Sequence, residues 1–461
     1  MNYISTRGAA PAVDFLSASL LGLAPDGGLY SPEAYPEIPR PAASAPYVEI
    51  ATRILKAFAG DTLSEPTIRD LATKAYAPFA HHSVAPLTQV GPGRWMLELH
   101  HGPTLAFKDV AMRLIAQLYD HILGQRGERM TILCATSGDT GGAAAAAFAG
   151  SRHVDLVILH PLNRVSPTQR QFMTATGADN IHNLALEGDF DGTQAILKQL
   201  LADEQFRRRT QLAAVNSINW TRVAAQSVYF AQAQAQLGAT TPIRFIVPTG
   251  NFGDALAGYV AHRCGLLANF EFVAAVNAND ALARLVSGQP LTRGATHPTL
   301  SPAMDIQLPS NFERLLFEAG GRDGAAVAKV YGQLAAKGEA ALPEKAVQDL
   351  PHMGLSAECV SDAETLAEMR RTHAETGWIV CPHTAVGLAA ARRGKPTDAA
   401  IVALATAHAA KFPETVERAL GLKIGLPERA AEFTSRPEVF DTGPMSIDFV
   451  RDRIDALVRG R

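Results

Sequence analysis

The stretches 136–142 (TSGDTGG) and 248–254 (PTGNFGD) combine small, hydroxyl and acidic residues after β-rich runs. In each, small residues let the backbone approach a ligand, and a helix starting there offers N–H groups to an anion. A Gly-rich turn of this kind can also be no more than tight packing. PTGNFGD lacks the GKS or GKT ending of a P-loop and the G-x-G-x-x-G spacing of a dinucleotide fold. Two such cradles suit a ligand with two anionic ends, or a phosphorylated cofactor beside an acidic substrate. Lys108, in HGPTLAFKD (101–109), follows Ala106-Phe107 and precedes an amphipathic run through Val110, Leu114, Ile115 and Leu118. An amine at the edge of an apolar patch can lose proton affinity and serve as nucleophile or base. The plain alternative is a solvated lysine at a helix start.

NSINWTR (216–222) spaces an amide, Asn216, and a guanidinium, Arg222, so that they could clamp a phosphate. Arg222 could equally pair with a surface carboxylate. CPHTAVG (381–387) and LATAHAAKFPE (404–414) place Thr406, His383, His408 and Lys411 near strand ends, where open α/β sheets bind ligands. His383 and His408 lack carboxylate or cysteine partners at metal-ligand spacing, so no metal site is expected.

The elements that must position these residues are legible from about residue 131. Strand-like runs 131–135, 154–159, 181–186, 212–215, 244–247, 270–276, 378–381 and 399–405 alternate with helical patterns. That alternation predicts parallel sheets covered by helices, repeated on both sides of about residue 230. Residues 1–93, rich in Pro and turn signals, read as a small leading domain. The expected division is therefore 1–93, 94–230 and 231–461, an α/β chain with two parallel-sheet units. Segments 287–312 and 343–354 read as irregular.

Length and composition agree. The 461 residues exceed one small module at roughly 100–200 residues per domain. With 42 Lys plus Arg against 45 Asp plus Glu, the net charge of -3 gives no electrostatic case for nucleic acid or anionic membrane. No apolar run approaches the roughly 18 residues of a membrane helix. The apolar stretch after Asp14 reads as a buried N-terminal helix rather than a signal peptide. Four scattered cysteines without a C-x-x-C pair suit a reducing compartment, with the cytoplasm expected.

Taken together, the motifs resemble the threonine synthase family in its longer form with an N-terminal extension. The likeness runs in order through YISTRG (3–8), DGGLYSPE (26–33), HGPTLAFKD, TSGDTG, GDFDG (188–192), NSINWTR, PTGNFGD, SPAMDIQLPSNFERLL (301–316), PHTAVG and LATAHAAKFPE. The resemblance implies two parallel-sheet α/β domains with pyridoxal 5'-phosphate in the cleft between them, plus the small N-terminal domain. It implies Lys108 as the covalent anchor of the cofactor and Gly250, Asn251, Phe252 and Gly253 as the cradle for its phosphate. Thr406 then faces the pyridine nitrogen, and Asp139 stands where shorter relatives carry an Asn facing the ring hydroxyl. Thr104, Ser137, Gly138 and Thr140 are implied for the substrate, the last three for its carboxylate; Asn216, Arg222 and Lys411 are implied for its phosphate. Three positions depart from the family pattern: His100 stands where an aromatic is expected, Cys381 where Asp is, and Ala409 where Pro is.

The implied reaction converts O-phospho-L-homoserine and water to L-threonine and phosphate in a monomer or homodimer. A phospho-lyase or dehydratase of the same fold, giving a 2-oxo acid, is the near alternative. A non-catalytic binding protein is the distant one, and the intact Lys108 and Gly-rich turns speak against it.

Overall fold

The computed structural model describes residues 1–136, 138–215, 217–394 and 397–459. Strands and helices alternate as the apolar runs predict, and the strands gather into two principal parallel sheets, one in each of two units.

The first unit comprises Met1–Ala72, His81–His101 and Ser217–Gly425. Its six strands run in the order Leu355–Cys359, Glu271–Val276, Ile243–Pro248, Ala400–Ala405, Arg94–Glu98 and Leu87–Gly91. Neighbours are parallel except the last pair, an antiparallel hairpin. Central residues such as Phe245, Ile246 and Val247 are buried, the near-continuous apolar pattern of a sheet covered on both faces. Ala400 lies opposite Ile243, and Ala405 lies opposite Glu98. The segments leaving these three strands, 249–254, 406–411 and 99–101, therefore emerge side by side at the carboxyl edge of the sheet. The apolar stretch after Asp14 is the helix Phe15–Leu21, capped by the Asp14 carboxylate accepting from Ser17 N at 2.8 Å, with Phe15 and Ala18 buried.

The second unit comprises Thr73–Ala80, Gly102–Asn216 and Leu426–Arg461. Its five strands are all parallel, in the order Asp441–Pro444, Ile181–Glu187, Val154–Pro161, Met130–Ala135 and Leu212–Ala214. Alternate residues Leu133, Val157, Leu159, Leu184 and Leu186 pack against Ile196, Leu200, Phe206, Val450 and Ile454. The units interleave along the chain and so do not follow the consecutive segments 1–93, 94–230 and 231–461. Strand Arg94–Glu98 belongs to the sheet of the first unit, and the C-terminal strand Asp441–Pro444 returns to the second.

One expected strand is corrected. Residues 378–381 are irregular, because Cys381 serves as N-cap of the helix Pro382–Arg393, its Sγ accepting from Thr384 N at 3.4 Å. The edge strands Leu355–Cys359 and Asp441–Pro444 escaped the sequence reading, since their polar, half-exposed residues carry no apolar run.

Buried His160, near the carboxyl end of Val154–Pro161, sits beside the Phe440 ring at 6.1 Å. Burial pushes its pKa below the ordinary 6.5. The unfolded chain thus gains a proton, as pH falls below about 6.5, that the folded chain resists, and stability declines until the folded-state pKa is passed. A His160→Gln protein is expected to lose less thermal stability between pH 7.5 and 5.5 than the parent does, as calorimetry at both pH values reads. An equal loss in both proteins removes His160 from the cause.

Candidate active site

In the second unit, Lys108 is the first residue of the helix Lys108–Arg126. The loop before it is built by Asp109, which is fully buried. Asp109 accepts from Thr104 N at 2.8 Å and from Thr104 Oγ1 at 2.6 Å. A Cβ on Gly102 would collide with that carboxylate, so glycine is required there. Leu105 adopts φ +62°, and Leu105 and Ala106 are buried. The Lys108 side chain is 12% exposed, with Nζ 4.7 Å from the Phe107 ring centre and 3.8 Å from Asp139 Oδ2. This is an amine held largely out of water, not a solvated surface lysine.

Asp139 opens the helix Asp139–Phe148, and its Oδ1 accepts from Gln169 Nε2 at 3.1 Å. The turn before it is fixed by Thr136, whose Oγ1 accepts from Gly138 N at 3.0 Å and Gly141 N at 3.1 Å. Gly138 has φ +148°, and a Cβ there would meet Gln169 Cδ at 2.7 Å. Thr140 lies in the first turn of that helix. The expectations for Ser137 and Asn216 fall outside the described residues.

In the first unit, the turn after Ile243–Pro248 is shaped by Thr249, whose hydroxyl donates to Asp254 Oδ1. Phe252 takes φ +64° as N-cap of the helix Gly253–Arg263. Asn251 is clasped from outside: its Oδ1 accepts from Ser310 Oγ, and its carbonyl accepts from Asn311 N, both at 3.1 Å. Among the described residues, the N–H groups of Gly250, Asn251, Phe252 and Gly253 meet no protein acceptor. Four open donors at a helix start form an anion cradle.

Thr406 follows strand Ala400–Ala405 directly and is buried, as is Lys411. Arg222 lies in the first turn of the helix Trp220–Leu237 and is buried. His383 Nε2 accepts from Ala303 N at 3.2 Å, and His408 Nδ1 accepts from Ala410 N at 3.2 Å, so both have structural bonds.

Sequence reading passed over the residues that brace these turns. Asn311 Nδ2 donates to the Ser217 carbonyl at 2.9 Å, and its Oδ1 accepts from Arg314 Nη1 at 2.6 Å. Arg314, fully buried, also donates to the carbonyls of Tyr30 at 2.9 Å and Ile218 at 2.7 Å. Burial holds its guanidinium down at about 10. Also unanticipated is a grouping of Glu98, His100 and His101. Burial, with His101 and His408 nearby, pushes His100 down to about 3.

An amine to carry an aldehyde and an open N–H cradle for a phosphate fit pyridoxal phosphate. Residues 89–338 match the family model described as pyridoxal-phosphate dependent enzyme, and the chain is a member of that class. Residues 2–76 match the model "Threonine synthase N terminus", and 384–454 match "Threonine synthase, C-terminal". A threonine synthase of Pseudomonas aeruginosa is 44% identical over 445 residues, covering 95% of this chain and 94% of the relative. A solved PLP-bound threonine synthase from Brucella melitensis has a TM-score of 0.95 at 42% identity, covering 100% of both chains. The yeast threonine synthase structure has a TM-score of 0.92 at 31% identity, covering 100% of this chain and 99% of that one. The chain belongs to the threonine synthase family.

Proposed function

We propose that the protein converts O-phospho-L-homoserine and water to L-threonine and phosphate, with Lys108 as covalent anchor of pyridoxal phosphate and as mobile acid and base. The observation that carries the assignment is the Lys108 amine, held beside Phe107 and Asp139 at a helix start. The bound cofactor supplies an electron sink for charge developing at the substrate α-carbon. Gly250, Asn251, Phe252 and Gly253 hold its phosphate through backbone N–H groups, and Thr406 offers a hydroxyl to its ring nitrogen. Asp139 orients the Lys108 amine and, through Gln169, keeps a fixed direction. Thr104, Ser137, Gly138 and Thr140 bind the substrate, the last three at its carboxylate. Asn216, Arg222 and Lys411 bind its phosphate and stabilise the charge that leaves the γ-carbon. Lys108 removes the α-proton, then a β-proton; after phosphate departs, the γ-carbon takes a proton and becomes the methyl group, water adds its hydroxyl at the β-carbon, and the α-carbon regains a proton. The four cysteines, Cys134, Cys264, Cys359 and Cys381, form no disulfide among the described residues, which supports a cytoplasmic setting.

This route breaks the γ-carbon–oxygen bond, so turnover in ¹⁸O-water is expected to place the label in threonine and none in phosphate. Label in the phosphate would mean hydrolysis at phosphorus and would sink the proposal.

Gly250 tests the cradle. A Cβ there would lie 2.7 Å from the Ala303 carbonyl oxygen and 3.1 Å from Met304 Cα, both backbone atoms. Overpacking of this kind costs about 1–3 kcal/mol. Gly250→Ala is expected to weaken cofactor retention roughly 10- to 100-fold, read by equilibrium dialysis against pyridoxal phosphate. Retention equal to that of the parent would remove this turn from the cofactor site.

A further inference from the structure

Strand Arg94–Glu98 ends on Glu98, and the next turn brings His100 and His101 back onto its carboxylate. Glu98 Oε2 lies 2.8 Å from His101 Nε2 and 3.7 Å from His100 Nε2. One ligand atom from each of the three residues falls within 4.8 Å of the others. The site is partly open, with side-chain exposures of 6%, 12% and 15% for Glu98, His100 and His101. We propose that Glu98, His100 and His101 bind one transition-metal dication of the zinc class.

Three features carry the inference. Bonds of about 2.0–2.1 Å in a tetrahedral site place ligand atoms roughly 3.3 Å apart, and 2.8 and 3.7 Å bracket that spacing. The third separation, between the two imidazoles, lies within 4.8 Å. The ligands are also oriented from outside, as bound metals require. Thr88 Oγ1 donates to Glu98 Oε1, which turns Oε2 toward the histidines. His100 Nδ1 faces the Ala405 carbonyl at 3.4 Å, which assigns Nε2 to the ion. Finally, two further imidazoles lie close. The His408 ring is 5.4 Å from that of His100, and the His81 ring is 5.2 Å from that of His101. Two histidines and one carboxylate form an open three-ligand set, with a water at the fourth position. Binding exchanges the hydrogen bond that His101 Nε2–H gives the Glu98 carboxylate for two metal bonds, and the ring takes its other tautomer, the proton passing through solvent from Nε2 to Nδ1.

The test uses untagged, chelator-stripped holoenzyme dialysed against zinc chloride, with bound metal counted by atomic absorption. One zinc per chain is expected. His100→Phe and Glu98→Gln are each expected to weaken binding at least about tenfold, with the cofactor absorption band and far-ultraviolet circular dichroism retained as checks on folding. The X-ray absorption of the bound zinc should report nitrogen and oxygen ligands, including imidazole. Zinc uptake unchanged in both variants, sulfur ligation through exposed Cys359, or no uptake by the parent would each overturn the site.

Discussion

A Lys108→Ala protein loses threonine formation by about 10,000-fold or more, because one amine performs several proton transfers and each is worth about 10²–10⁴-fold. The structure makes the loss specific to chemistry rather than folding. Lys108 stands at a helix start, and Asp109, not Lys108, holds the preceding loop through Thr104. The cofactor-free variant should therefore keep the melting midpoint of the cofactor-free parent. Lys108→Arg, which keeps a cation near Asp139, should be equally inactive, since a guanidinium does not give up its proton. Borohydride treatment of the parent should fix the cofactor on the peptide containing Lys108, and on no peptide of either variant. A Lys108→Ala protein with parental turnover would end the assignment.

The second large effect is at Arg314, a residue with no chemical role of its own. Its guanidinium satisfies the carbonyls of Tyr30 and Ile218 and the Asn311 side chain. Arg314→Met takes a donor from each of three buried acceptors, a loss of about 1–3 kcal/mol apiece where none replaces it. Relief of cation burial offsets part of this, so a net loss of roughly 3–5 kcal/mol is expected in a urea titration. Arg314→Lys should recover little, because one ammonium cannot span three acceptors set by a planar fork. In the folded fraction, KM for O-phospho-L-homoserine should rise about tenfold or more. The turn that follows Asn216 is anchored by Ile218 to Arg314 and by Ser217 to Asn311, and a shift of about 1 Å at a binding group can cost 10²-fold. Parental stability in Arg314→Met would show that these bonds are replaced by water.

These two residues mark the limit of what the amino-acid sequence makes legible. Lys108 and the turns 136–142 and 248–254 are local features. Each is a short run of small residues between an apolar strand and a helix, and the strands Met130–Ala135 and Ile243–Pro248 bear them as expected. The parallel α/β architecture was legible for the same reason, since central strands carry continuous apolar runs. Arg314 was not, because its partner Tyr30 is 284 positions away. Nothing in the local pattern FERLL separates a buried arginine from a solvated one. Glu98, His100 and His101 are near neighbours, yet only the turn after Glu98 shows that their ligand atoms converge. Edge strands failed for another reason: Leu355–Cys359 alternates exposed and buried positions too irregularly to register as apolar.

The reaction itself is decided by product balance. Purified protein supplied with pyridoxal phosphate and O-phospho-L-homoserine should release phosphate matched one-to-one by threonine, with no 2-oxobutyrate. Phosphate matched by 2-oxobutyrate and ammonia would make the protein a lyase of the same fold and overturn the proposed water addition.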